Sequence, residues 1–114
     1  MAFVAVCAST ALKDAGPGVR FMLGELSGFV VRYQGQVRAY RNRCPHQGLE
    51  LDWQEGHFFD VDGHALICAV HGARYDPAGG RCLGGPCQGA SLEALVCEER
   101  QGWVVVQELW TCRM

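Results

Sequence analysis

Short apolar runs, broken by polar residues and glycine-containing turns, set the rhythm of this chain. No segment sustains a 3.6-residue apolar period for three helical turns, and strand-length stretches recur between turn signals, so the pattern predicts an all-β fold. Residues 3–7 and 18–23 read as the first two strands. Residues 28–33 and 36–41 flank Gln34-Gly35 and predict a hairpin. Residues 57–61 and 64–68 flank Asp62-Gly63, the strongest type I′ turn signal in the chain. Residues 92–97 and 103–109 make a last pair around Gln101-Gly102, and residues 49–53 suit one short helical turn. Small domains with so many strands close into sandwiches or partial barrels.

Composition narrows the class. The 114 residues suit a single domain, 1–114, and an apolar content of 49% excludes intrinsic disorder. A net charge of −2 provides no basic face for nucleic acid, so no nucleic-acid partner is expected. The apolar stretches fall well short of the ~20 residues that span a bilayer, so no membrane partner is expected either. The apolar run near the start has no basic residue before it, as a secretory signal would, and reads as part of the mature domain.

The seven cysteines are Cys7, Cys44, Cys68, Cys82, Cys87, Cys97 and Cys112. An odd count without a secretion signal points to a reducing, cytoplasmic setting, where clustered Cys and His hold metal more often than they form disulfides. Cys7, Cys97 and Cys112 lie in or beside apolar runs and read as small packing residues. Cys82 and Cys87 are expected to be free thiols, although they are near enough in sequence to pair.

Two short elements carry the candidate chemistry: Cys44-Pro45-His46 and Cys68-Ala69-Val70-His71, separated by 21 residues. Each follows a predicted strand, so each falls on a loop leaving a sheet, and the intervening hairpin can set the loops side by side. Two thiolates and two imidazoles suit a tetrahedral zinc. They equally suit a [2Fe–2S] cluster in which histidine replaces cysteine on one iron.

The flanking residues add Asn42-Arg43 before the first loop and Gly72-Ala73-Arg74-Tyr75-Asp76 after the second. Gly79-Gly80-Arg81 and Gly84-Gly85-Pro86 follow. Together, over residues 42–86, these resemble the Rieske iron–sulfur family. The resemblance implies a small antiparallel domain with a cluster-binding subdomain at about 42–86, carrying the ligands on two loops. It implies that Cys44 and Cys68 bind the inner iron and that His46 and His71 bind the outer one. Pro45 and Gly72 would let the loops turn, and Gly84-Gly85-Pro86 would cover the cluster from a third side. Rieske centres span about −150 to +300 mV. High-potential members carry an extra loop disulfide and a serine donor. Leu49, Val70 and Ala73 stand at those positions here, which implies a potential low in the range, with Tyr75 the one retained donor.

The expected function is one-electron transfer from a reductase to an oxygenase-type acceptor, through small transient interfaces and as a monomer. No catalytic constellation is evident. Two other readings stand beside it: a small Rieske subunit of a multi-component reductase or oxygenase, as in assimilatory nitrite reductase, and a zinc-stabilised interaction module. Of the remaining residues, His57 and His64 are expected at the surface and Trp53, Phe58 and Phe59 mostly in the core. Glu98-Glu99-Arg100 is expected as a charged turn. Arg41, Arg43 and Arg74 are either solvated or poised to steer an acidic partner.

Overall fold

A computed structural model of the chain describes residues 3–43, 50–52, 55–60, 62–68, 72–85 and 89–107. In chain order the strands are β1 (Phe3–Ala8), β2 (Val19–Leu23), β3 (Leu26–Tyr33), β4 (Gln36–Arg41) and β5 (Leu66–Ile67). They continue with β6 (Arg74–Tyr75), β7 (Cys82–Gly84), β8 (Ala94–Leu95), β9 (Cys97–Arg100) and β10 (Trp103–Gln107). A 3-10 turn at Ser9–Ala11 is the one helical element among the described residues. The pairings between these strands are antiparallel and build three sheets, in the orders β1-β10-β9, β2-β3-β4-β8 and β5-β6-β7. The fold is thus all-β, as the pattern predicts.

Two expected hairpins form with the expected turn chemistry. Tyr33 faces Gln36 across Gln34-Gly35, whose φ angles are 52° and 81°. Trp103 faces Arg100 across Gln101-Gly102, at 51° and 87°. Positive φ at both central residues matches the right-handed twist of the flanking strands.

β3 explains how the layers join. Its Phe29-Val30-Val31 run is wholly buried and lacks the alternation of a half-exposed strand, because both of its faces are covered. Phe29 and Val31 pack with Tyr40, Leu51, Phe58, Leu66, Cys68, Ala73, Tyr75 and Leu92. Val30 packs instead with Leu12, Leu23, Ala39, Leu95, Val104 and Val106. The middle sheet therefore holds one apolar core toward the β5-β6-β7 sheet and another toward β1-β10-β9. Cys7 and Cys97, both half-buried, line the second core as packing residues. Arg32 ties β3 to β9: its guanidinium donates to both carboxylate oxygens of Glu99 at 3.1 and 2.8 Å, and to the Leu12 and Ser9 carbonyls at 3.0 Å.

The structure corrects several expected elements. The 92–97 strand divides at Val96: β8 pairs with β4, and β9 pairs with β10. Glu98-Glu99-Arg100 lies in β9 rather than in a turn, its charges serving an edge strand. The Asp62-Gly63 hairpin exists, with Asp60 N–H on the Ala65 carbonyl and Ile67 N–H on the Phe58 carbonyl, but its turn is wider than two residues. Gly63 N–H closes on the Asp60 carbonyl, and the Asp60 carboxylate takes the His64 and Ala65 N–H groups. Those bonds replace ladder pairing, so among the described residues 57–60 a single bridge, Phe59 to Leu66, stands where the strand was expected. Glu50–Asp52 is irregular rather than helical.

Candidate metal centre

The site is built on the stems of three loops. The second loop leaves β5 at Cys68, which is wholly buried. Cys68 N–H donates to the Ala73 carbonyl at 2.8 Å, and Gly72 N–H returns to the Cys68 carbonyl at 2.8 Å, so Cys68 is held against Gly72 and Ala73. Gly72, at φ 73°, makes the turn that the sequence assigns to it. β6 then runs back beside β5, with Tyr75 opposite Leu66 on one side and Cys82 on the other.

The first loop is pinched at its base by Asn42. This buried side chain accepts the Leu51 N–H at 2.9 Å and donates to the Asp52 carboxylate at 3.0 Å. The third loop meets the second directly: Gly85, at φ 89°, lies so close that an added Cβ would stand 3.1 Å from both Ala73 Cα and Gly72 O. Cys68, Leu51 and Tyr75 share one buried apolar cluster, which ties the stems of the first two loops together.

Of the predicted ligands, Cys68 is the one among the described residues; Cys44, His46 and His71 lie outside them, as do Pro45, Pro86, Cys87, Trp53 and Cys112. No three His, Cys, Asp or Glu side chains gather as a metal-binding group among the described residues. Cys68 itself fits a cluster ligand: a soft sulfur at a strand end, within an apolar shell that keeps water from it. Ala73 is fully buried beside it and has no hydroxyl to donate. Cys82 is disulfide-bonded, which corrects the expected free thiol; its partner lies outside the described residues. The expectation rested on the redox state of a compartment, whereas pairing depends on how near the fold brings two sulfurs.

Phe58 is core, stacked on Phe29 with centroids 3.9 Å apart, and Phe59 is half-buried against Tyr33. His57 and His64 are exposed, as expected. The three arginines separate: Arg41 pairs with Glu93 at 3.4 Å, Arg74 pairs with Asp60 at 2.8 Å, and Arg43 is exposed. Burial works to raise the Asp60 pKa. The His64 N–H, the Arg74 guanidinium and the Ala65 N–H outweigh it and hold that carboxyl below its ordinary value. Sequence reasoning missed the structural part played by Asn42 and Asp52. The available signal was a pair of short polar side chains bracketing the first loop on either side of Leu51.

This arrangement defines a class: a small antiparallel β domain with a wholly buried cysteine, Cys68, at the end of β5. The Rieske [2Fe-2S] domain family matches residues 2–107. The chain belongs to that family, and its cofactor is the family's [2Fe–2S] cluster. It is 38% identical over 79 residues to the ferredoxin component of the alkene monooxygenase system of Xanthobacter autotrophicus (strain ATCC BAA-1158 / Py2). That match covers 69% of this chain and 61% of the curated relative's length. In structure it is similar to the ferredoxin of carbazole 1,9a-dioxygenase from Nocardioides aromaticivorans IC177, with a TM-score of 0.79 and 24% identity, over 96% of this chain and all of that one. It is also similar to a chain in the complex of reduced oxygenase and oxidized ferredoxin in carbazole 1,9a-dioxygenase, with a TM-score of 0.75 and 24% identity, over 94% of this chain and 96% of that one. These likenesses in structure establish the fold. Among the described residues no helix is long and apolar enough to cross a membrane.

Proposed function

We propose that this chain is a one-electron carrier that takes electrons from a reductase and delivers them to an oxygenase-type partner. The observation that carries this reading is the 38% identity to a monooxygenase ferredoxin component, joined to membership of the family. In this reading the chain acts as one domain, 1–114, a cytoplasmic monomer that meets its partners transiently.

Cys44 and Cys68 would hold the inner iron through thiolates, and His46 and His71 the outer iron through neutral imidazoles. When bound, the cluster takes up and releases a single electron. The chain's own residues set how readily it does so. Two imidazoles in place of two thiolates remove two negative charges and raise the potential above that of an all-cysteine centre. The buried Ala73 offers no side-chain donor to offset the added charge, which supports a potential low in the Rieske range. Water is kept from the inner sulfur by the apolar shell of Leu51, Leu66 and Tyr75.

Protein purified without air should contain about two irons and two acid-labile sulfides per chain and bleach with dithionite. Cys44→Ser, His46→Ala, Cys68→Ser and His71→Ala should each lose that colour. In rapid mixing, the reduced chain should be reoxidised by the oxygenase component of an alkene monooxygenase system. Zinc in place of iron, in protein made with ample iron, would overturn the reading. A tight complex on co-purification would replace it with that of a resident subunit.

A further inference from the structure

The first ligand loop, 44–49, is gripped at both ends by one polar network. On the incoming side, Asn42 N–H donates to the Ser27 carbonyl at 2.7 Å, fixing the backbone to β3. The Asn42 side chain then crosses to the outgoing side, taking Leu51 N–H at 2.9 Å and donating to Asp52 Oδ1 at 3.0 Å. Asp52 uses its other oxygen to accept Gly56 N–H at 3.0 Å, with Arg20 Nε 3.6 Å away. Arg20 also pairs with Glu50 at 2.6 Å, and Ser27 Oγ donates to the same carboxylate oxygen at 3.2 Å. Residues 50, 51 and 52, the first described after the loop, are therefore each held by a bond to β2, to β3 or to Asn42 just past the end of β4.

Asn42 and Asp52 are 3% and 5% exposed, and Asp52 keeps its carboxylate in the interior. Burying these groups is costly without complete pairing, and here both Asp52 oxygens and both ends of the Asn42 amide are satisfied. A fold that needed only to close a loop would do so with apolar packing, as Leu51 does alongside. The directional bonds instead fix the distance and angle between the two stems.

We propose that Asn42 and Asp52 are positioning residues for the cluster: their mutual hydrogen bond sets the spacing of the stems that present Cys44 and His46. The proposal rests on the assignment of those two residues as ligands. Iron and sulfide content of the unaltered chain tests that assignment separately. Outer-shell partners that orient ligands typically account for 10–100-fold in metal retention.

The donor and acceptor roles can be exchanged. In N42D/D52N, the carboxylate now at position 42 would accept from Leu51 N–H and from the amide now at position 52. The oxygen of that amide would accept from Gly56 N–H. Every hydrogen bond of the pair is kept and the net charge is unchanged. N42D sets two carboxylates against each other, and D52N leaves one donor of the network, Asn42 Nδ2 or Gly56 N–H, without an acceptor. Val104→Ala, in the opposite core, is the control for general destabilisation.

The experiment follows loss of visible absorbance under an iron chelator, with the EPR g values of the dithionite-reduced protein. N42D and D52N should lose iron ~10-fold faster than the unaltered chain and show shifted g values. The double exchange should return within about twofold of the native rate and restore the g values. Val104→Ala should lower the melting temperature yet leave the g values native. Native loss rates and g values in both single variants would overturn the proposal. So would a double exchange as labile as its parents, or a Val104→Ala protein whose g values move as theirs do. Should N42D fail to fold, D52N and the double exchange carry the same comparison.

Discussion

Tyr40 shows how one side chain can serve both core and turn. Its ring tilts against Phe29 at 5.8 Å, and its buried hydroxyl donates to the Pro77 carbonyl at 2.7 Å. Burial pushes the phenol from its ordinary 10.0 up to about 12, since the charged form would sit in the apolar cluster. In the unfolded chain the proton leaves near pH 10. Between there and about 12 the folded state binds more protons than the unfolded one, so stability is complete below pH 10 and falls as pH rises through that window. A shift of this size corresponds to roughly 3 kcal/mol. Tyr40→Phe should cost about 1 kcal/mol near pH 8, through the lost bond to Pro77. It should also flatten the decline from pH 10 to 12. Urea unfolding midpoints across that range measure both effects, and parallel curves for the two proteins would contradict the assignment.

At the scale of elements, the glycines of two turns separate backbone strain from contact. Gly35 and Gly85 both have positive φ, at 81° and 89°. A Cβ at Gly35 meets nothing, while one at Gly85 presses on Gly72 and Ala73. Gly35→Ala should cost about 1 kcal/mol and leave cluster retention native. Gly85→Ala should cost a further ~1–3 kcal/mol of overpacking and speed iron loss, because the third loop must lift from the second. Melting curves alongside chelator-driven bleaching distinguish the two. The same contrast explains what was legible beforehand. β3, β4 and β10 announce themselves by apolar runs next to two-residue turns, whose geometry is local. β6 and β7 have two and three residues, too short for a period, and exist because β5 and the Gly85 turn hold them in place. The division at Val96 was invisible for a related reason. Residues 92–97 look continuous in hydropathy, but which sheet each half joins is decided by β4 and β10, distant in sequence. The family and its cofactor, by contrast, were legible through the resemblance carried by residues 42–86; Cys44, His46, Cys68 and His71 alone suit zinc as well, and the flanking residues separate the two.

The molecule as a whole consists of two cores on opposite faces of the middle sheet, and only one of them contains Cys68. Phe58→Ala, in the cluster-side core, removes the ring stacked on Phe29 and should cost ~3–5 kcal/mol while also loosening iron. The other core rests on Leu12, Val30, Val104 and Val106 and, among the described residues, contains no proposed ligand. It is braced further by the Arg32–Glu99 pair, which holds β9 to β3. Local stability should therefore differ between the two sides once iron is removed, since the loops lose their cross-link while the base loses no contact of its own. In the iron-free chain, amide hydrogen exchange should stay slow at Val30, Val104 and Val106. It should rise by orders of magnitude across residues 66–68 and 72–75, whose short ladder depends on the loops above it. Uniformly lost protection would mean instead that β3, shared by both cores, couples them into one cooperative unit, so that iron stabilises the base as well as the tip.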